Sequence, residues 1–189
     1  MANVIAALPE DMGVRFTPTI HTHAEGPTDP KNNKVHSNFV VVTTGAGKGL
    51  GYHIALSYAH VGAKGIVIAS RTRSDLDKLE KEIQSINPET TVVVQTCDTL
   101  NDDDVKSLAE STQAKFCRLD VVVANAGIIS KYIQDSDGTQ RLPNGIVEDT
   151  DFERVINTNF MGSYRVAKYF VPLLNATKDG PQALSLIHI

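Results

Sequence analysis

The sequence predicts a doubly wound α/β fold, a parallel sheet with helices on both faces, and three observations lead there. From residue 38 onward, apolar runs of five to seven residues alternate with stretches of helical periodicity, as in parallel strands joined by helical crossovers. The runs are apolar throughout rather than alternating, which is the pattern of strands covered on both faces. A glycine cluster directly follows the first run and opens the first helical stretch, so a sharp strand-to-helix turn is expected there.

The expected strands are residues 39–43, 65–70, 91–96, 119–124 and 183–187, in spatial order 3-2-1-4-5 with right-handed crossovers. Helices are expected over 50–61, 74–86, 102–116 and 149–174. The second places Leu76, Leu79, Ile83 and Ile86 on one face, and Ser74 with Asp77 three residues later resembles a capping box. The third opens with Asp102, Asp103 and Asp104, which suit the positive end of a helix dipole. The fourth carries Phe152, Val155, Ile156 and Phe160 at helical spacing. Residues 1–37 hold four prolines and no sustained periodicity. They read as an irregular extension that lies over the domain or stays mobile, with no function expected of it. The expected organisation is therefore an extension, 1–37, and a domain, 38–189, whose sheet is incomplete at its carboxyl end.

Composition narrows the function classes. A chain of 189 residues, 41 % hydrophobic and 21 % charged, has the balance of one soluble globular domain. The net charge is −4 with a pI near 5.8 and the basic residues are scattered, so nucleic acid is not an expected partner. The start has no cationic segment followed by a long apolar one, and no apolar run approaches the roughly 20 residues of a spanning helix. No membrane association is expected, and the cytoplasm is the expected location. Cys97 and Cys117 have no CxxC spacing and are expected to be reduced and partly buried. Asn175-Ala176-Thr177 matches a glycosylation sequon without a secretory signal, and is read as a chance match.

No metal site is expected. His23-Ala24-Glu25, with His21 nearby, mimics half of a zinc-deaminase signature, but no Pro-Cys-x-x-Cys partner follows. Thr99 with Asp102, Asp103 and Asp104 reads as the solvated start of a helix rather than a ligand set.

The segment Thr44-Gly45-Ala46-Gly47-Lys48-Gly49-Leu50-Gly51 stands where a phosphate cradle belongs. Glycine lets the backbone turn sharply and approach a pyrophosphate, whose charge the free amides and dipole of the following helix favour. Gly-x-Gly-x-x-Gly fails, because the sixth position from Gly45 is Leu50. A P-loop fails too, because Gly49 follows Lys48 where Ser or Thr belongs. The pattern that fits is Thr-Gly-x-x-x-Gly-x-Gly. In dinucleotide folds the next strand ends near the adenosine ribose, where a carboxylate holds a free 2′-hydroxyl and an arginine accommodates a 2′-phosphate. Here that corner is Ser70-Arg71-Thr72-Arg73, with no carboxylate until Asp75. Arg71, joined by Lys48 from the loop, favours NADP over NAD.

With these residues in view, the sequence resembles the short-chain dehydrogenase/reductase family from about residue 38 to about residue 182, a Rossmann-like fold. Four motifs carry the resemblance in order: the loop 44–51, Cys97-Asp98 ending the third strand, Asn125-Ala126-Gly127 ending the fourth, and Asn159 within Asn157-Thr158-Asn159-Phe160-Met161-Gly162. The resemblance implies that Asp98 reaches the adenine and that Asn125, Ala126 and Gly127 back the ribose and steady the sheet. It also implies that Asn159 positions a water in a proton relay. The cofactor-binding candidates are then Thr44, Gly45, Lys48, Gly49, Leu50, Gly51, Ser70, Arg71, Asp98, Thr99, Asn125, Ala126 and Gly127, and the catalytic candidate is Asn159.

The implied function is an NAD(P)-dependent oxidoreductase acting on a small alcohol or carbonyl substrate, homo-oligomeric at full length. The alternative is a non-catalytic nucleotide-binding sensor or interaction module on the same fold. The family's general acid is a tyrosine in Tyr-x-x-x-Lys, which follows a serine at the end of the fifth strand. Tyr164 and Lys168 spell that motif, but Tyr164 follows Asn159 by five residues on one helix, with no strand and no serine between. The pair is therefore read as a decoy. Ser185 comes too early in its strand, and Ser130 has no base beside it. The chain is accordingly expected to be a fragment without turnover. Its last residues, Leu184-Ser185-Leu186-Ile187-His188-Ile189, are what the codons CTG TCT CTT ATA CAC ATC encode, a transposon adaptor string of sequencing libraries. The native frame is expected to end near Ala183, which reading the genomic locus tests.

Overall fold

The computed structural model describes residues 23–129, 133–134, 140–141 and 149–186. Residues 1–22, with His21 among them, Ser130, and Ile187, the last residue of the fifth expected strand, lie outside the described residues.

Five parallel strands form one sheet: β1 Val40–Thr44, β2 Gly65–Ser70, β3 Thr91–Thr96, β4 Val121–Ala124 and β5 Ala183–Leu186. Their spatial order is 3-2-1-4-5, as expected from the sequence. The register pairs Val41 with Ile66 and Val121, and β5 joins β4 through Ala183 opposite Val121. Apart from this sheet, Ile133–Gln134 and Gln140–Arg141 form a short antiparallel pair.

Helices α1 Gly49–His60 and α2 Arg73–Ile86 cover one face of the sheet. There Val41, Ile66, Ile68, Val121 and Val123 meet Ala55 and Ala59 of α1 and Leu76, Leu79 and Ile83 of α2. The opposite face presents Val42, Val67, Ala69, Val122 and Ala124 to α3 Asp102–Phe116 and to the long helix near the carboxyl end. Alternate residues of each central strand thus enter different cores, which is why these runs are apolar throughout. β3, at the sheet edge, is only half buried.

The structure corrects several local expectations. The second helix begins at Arg73 with Thr72 as its N-cap and no side-chain capping bond, so Ser74 and Asp77 form no capping box. Asp77 instead accepts from Arg73 Nε at 2.7 Å. The fourth helix is not uniformly α: α4 Asp149–Ile156 passes through a π-turn, Asn157–Met161, into α5 Gly162–Ala176. The wide turn inserts one residue without changing the run of apolar positions, so periodicity did not reveal it. Cys97 is buried, but Cys117 is exposed, since it ends α3 in a left-handed conformation with φ of +50°.

The acidic start of α3 serves structural ends. Asn101 caps the helix by accepting from the amides of Asp103 and Asp104, and Asp104 accepts from the amide of Asp98. Asp102 reaches across to Lys168 and Tyr169 of α5.

At the amino end of the sheet, the carboxylate of Asp120 is fully buried. It accepts from Arg118 Nε at 2.8 Å, from the Val40 amide at 2.8 Å and contacts His36 Nε2 at 3.1 Å. Gly180 passes so close that a side chain there would overlap this carboxylate. Through His36, and through the Val35 amide bonded to the Val61 carbonyl, the segment preceding β1 is tied to the sheet and to α1. Burial works to raise the pKa of Asp120, but the Arg118 guanidinium, the Val40 amide and His36 outweigh it and hold the carboxyl below its ordinary value.

Candidate cofactor site

At the opposite, carboxyl end of the sheet, β1 and β4 part and a cleft of about 360 Å³ opens between the loops that follow β1, β2, β3 and β4. This is the switch point where open α/β sheets place ligands.

Thr44 organises its floor. The buried hydroxyl donates to the Val123 carbonyl at 3.3 Å and accepts from the amides of Asn125 and Ala126, each at 3.2 Å. Asn125 answers by donating from Nδ2 to the carbonyls of Thr44, at 3.0 Å, and Gly45, at 3.2 Å. The glycine loop and the Asn-Ala-Gly turn are therefore locked to each other. Two glycines make the fit possible. Gly45 has φ of +65°, and a Cβ there would stand 2.8 Å from the Ala126 Cα. Gly51 lies where a Cβ would overlap Asn125 Nδ2 and the Gly45 carbonyl, so α1 can start directly beneath the loop. Asn125 Oδ1 is buried and has no hydrogen-bond partner among the described residues.

The start of α1 has the features of an anion cradle. Gly49 adopts φ of +61° with open space where a Cβ would be. Lys48 is the N-cap and offers no side-chain acceptor to the first amides of the helix. Those N–H groups and the positive end of the dipole remain available to an anion. Lys48 itself is 81 % exposed and pairs with Asp75 at 3.2 Å, whose side chain is only 15 % exposed.

The residues named from the sequence converge only in part. Thr44, Gly45, Lys48, Ser70, Arg71, Asp98, Thr99, Ala126 and Gly127 line the cleft. Gly49, Leu50, Gly51 and Asn125 do not; Gly51 and Asn125 act behind the wall, and Leu50 is exposed on the first turn of α1. Asn159 also stands behind the lining, bonded at both ends of its amide to Ile128. The backbone carbonyl of Asn159 accepts from the Ser163 hydroxyl at 2.7 Å. Gly47, Ala69, Thr72, Asp75, Cys97, Ile128 and Thr158, which were not among the binding candidates, complete the lining. For Gly47 a signal existed: a Cβ there would meet Ser70 Oγ at 2.8 Å, and the position belongs to the glycine cluster. Burial, reinforced by the Asp104 and Asp98 carboxylates, pushes the Cys97 thiol up to about 12, so it stays protonated at neutral pH.

Tyr164 and Lys168, read from the sequence as a decoy, do not line the cleft. Lys168 bonds Asp102 at 3.1 Å, and Tyr164 is exposed. Ser185 faces a different groove, beside α1 and Val123.

Comparison with known proteins agrees with this geometry. The short chain dehydrogenase family matches residues 39–181. The short chain dehydrogenase pgmD of Aspergillus terreus is 35% identical over 178 residues, covering 90% of this chain and 54% of that protein. The chain thus spans about half the length of that relative. Among solved structures, an alcohol dehydrogenase from Thermococcus sibiricus complexed with 5-hydroxy-NADP shares 26% identity at a TM-score of 0.62, over 74% of this chain and 54% of that one. A 3-ketoacyl-(acyl-carrier-protein) reductase from Brucella melitensis complexed with NADH shares 28% at 0.60, over 73% and 51%. A switch-point cleft with a glycine loop locked to an Asn-Ala-Gly turn, in a chain matched over most of its sheet, places this protein in the short-chain dehydrogenase/reductase family of oxidoreductases.

Proposed function

We propose that these residues form the nucleotide-binding half of an NADP-dependent oxidoreductase that interconverts a small alcohol and its carbonyl. The observation that carries the reading is the uncapped start of α1 behind Gly45 and Gly49, facing a cleft whose outer wall holds Lys48 and Arg71. A pyrophosphate matches the free amides, and a 2′-phosphate matches the two cations. Asp98 and Thr99 flank the adenine end, and Ala126 and Gly127 back the ribose. Bound there, the cofactor would supply or accept hydride; the chain's own residues bind it, orient it and fix the loop against which it rests. Asn159 serves as a positioning residue that holds the Ile128 backbone at the inner wall.

Among the described residues the cleft is lined by no tyrosine. On the motif spacing read from the sequence, residues 1–189 are proposed to bind nucleotide without turnover, and the second reading is a nucleotide-binding sensor on the same fold. The exposed apolar residues Phe152, Ile156, Phe160 and Tyr164, spaced four apart along α4, the π-turn and α5, are proposed to meet a second copy of the chain.

Calorimetric titration of the chain with NADP and NAD tests the reading. NADP is expected to bind about tenfold more tightly, and Arg71→Asp to abolish the difference. Equal affinities in the parent chain contradict the NADP assignment. Carbonyl reduction by the purified chain with NADPH contradicts the binding-only assignment.

A further inference from the structure

The cleft wall that faces the 2′ position is not purely cationic. Asp75 occupies the third position of α2, where the positive end of the helix favours a carboxylate. The fold brings it back over the glycine loop: its Cβ lies 3.3 Å from where a Gly47 side chain would start, and its Oδ2 stands 3.2 Å from Lys48 Nζ. Lys48 therefore reaches the cleft already paired, whereas Arg71 has no ion pair among the described residues. A dianionic phosphate between these two cations must draw Lys48 away from Asp75 or accept a carboxylate as a close neighbour. Both cost binding energy, because the Asp75 side chain is only 15 % exposed and two like charges a few ångströms apart repel. A free ribose hydroxyl meets no such opposition, since a carboxylate accepts its hydrogen bond.

Resting on the nucleotide reading above, we propose that Asp75 is a specificity-determining residue: it occupies Lys48 and opposes the 2′-phosphate. The preference for NADP over NAD is thereby held to a modest factor. Asp75 acts through Lys48, not through contact with the reacting end of the cofactor.

The test is calorimetric titration of NADP and NAD into the 189-residue chain and its variants Asp75→Asn, Lys48→Met and the double variant. Asp75→Ser serves as a second substitution that suits the first turn of a helix. Asp75→Asn and Asp75→Ser are expected to tighten NADP about tenfold while NAD changes less than about threefold. The gain is expected to differ by more than about threefold between the parent and Lys48→Met backgrounds, because the two side chains are coupled through their ion pair; strictly additive effects overturn the coupling. Weaker NADP binding in the Asp75 variants, or equal changes for both nucleotides, overturns the proposal. A merely helix-capping role moves thermal stability without moving the NADP-to-NAD ratio. A parent chain that binds neither nucleotide overturns the cleft assignment itself, and is distinguishable from a parent that binds and an Asp75 variant that fails to shift.

Discussion

Asn159 grips the backbone of Ile128 at both ends of its amide, Oδ1 accepting from the Ile128 N–H at 2.9 Å and Nδ2 donating to the Ile128 carbonyl at 2.8 Å. The π-turn of Asn157–Met161 carries this residue, so a widened helical turn holds the loop that follows Asn125-Ala126-Gly127. Asn159→Ala leaves two half-buried backbone groups without their partner, at a cost of about 1–3 kcal/mol. Urea denaturation is expected to show that loss, and amide exchange at Ile128 to accelerate. An Ile128 amide as protected as in the parent would remove Asn159 from its positioning role.

Gly45 and Gly49 both have positive φ but differ in surroundings, and the difference is measurable. Gly45→Ala forces a Cβ toward the Ala126 Cα, 2.8 Å away, as well as straining the backbone. Gly49→Ala strains the backbone with open space around the new methyl. About 1–2 kcal/mol is expected for the strain alone, and Gly45→Ala is expected to cost more because backbone must shift. Thermal melts of the two variants check the ranking; a larger loss for Gly49→Ala contradicts it.

The Asp120 cluster makes stability depend on acid. Its folded pKa lies below the ordinary carboxylate value, so its contribution is complete above that ordinary value. It is lost as the pH falls through the depressed one. Asp120→Asn removes the charge and leaves the partly exposed Arg118 guanidinium facing an amide, at a cost of about 1–3 kcal/mol near neutrality. Denaturation midpoints of parent and variant are expected to converge as the pH is lowered through the acid range. A constant gap across that range would show that Asp120 titrates elsewhere.

Sheet order and the glycine loop were legible because both rest on local necessities: doubly covered strands must be apolar on both sides, and the turn after β1 has room for no side chain at Gly45 or Gly51. Asp75 was not legible as part of the cleft. Its five-residue distance from Ser70 along the chain suggests separation, yet the first turn of α2 folds it back over Gly47. The misplaced capping box has a similar origin. Ser74 and Asp77 have the right spacing, but the helix starts one residue earlier and Arg73 takes the Asp77 carboxylate. Cys117, expected to be partly buried, follows the last residue of α3 in a left-handed conformation that turns it outward. Each miss concerns where the chain turns, which periodicity does not encode.

The outer stripe offers a last test, one that separates Tyr164 from the cleft. Phe160 is 67 % exposed, and Phe152 and Tyr164 are each 57 % exposed. On a single chain these side chains meet water, whereas a second copy would cover them, and large exposed aromatics of this kind anchor interfaces. Phe160→Glu places a charge at the centre of the stripe and is expected to shift the chain to monomer in sedimentation equilibrium while the NADP affinity stays within about threefold of the parent's. Tyr164→Phe, removing one exposed hydroxyl, is expected to change stability by no more than about 0.5 kcal/mol and to leave nucleotide binding intact. A parent chain that sediments as a monomer sinks the pairing of copies through this face. A collapse of NADP binding in Tyr164→Phe would return that tyrosine to the site from which the geometry excludes it.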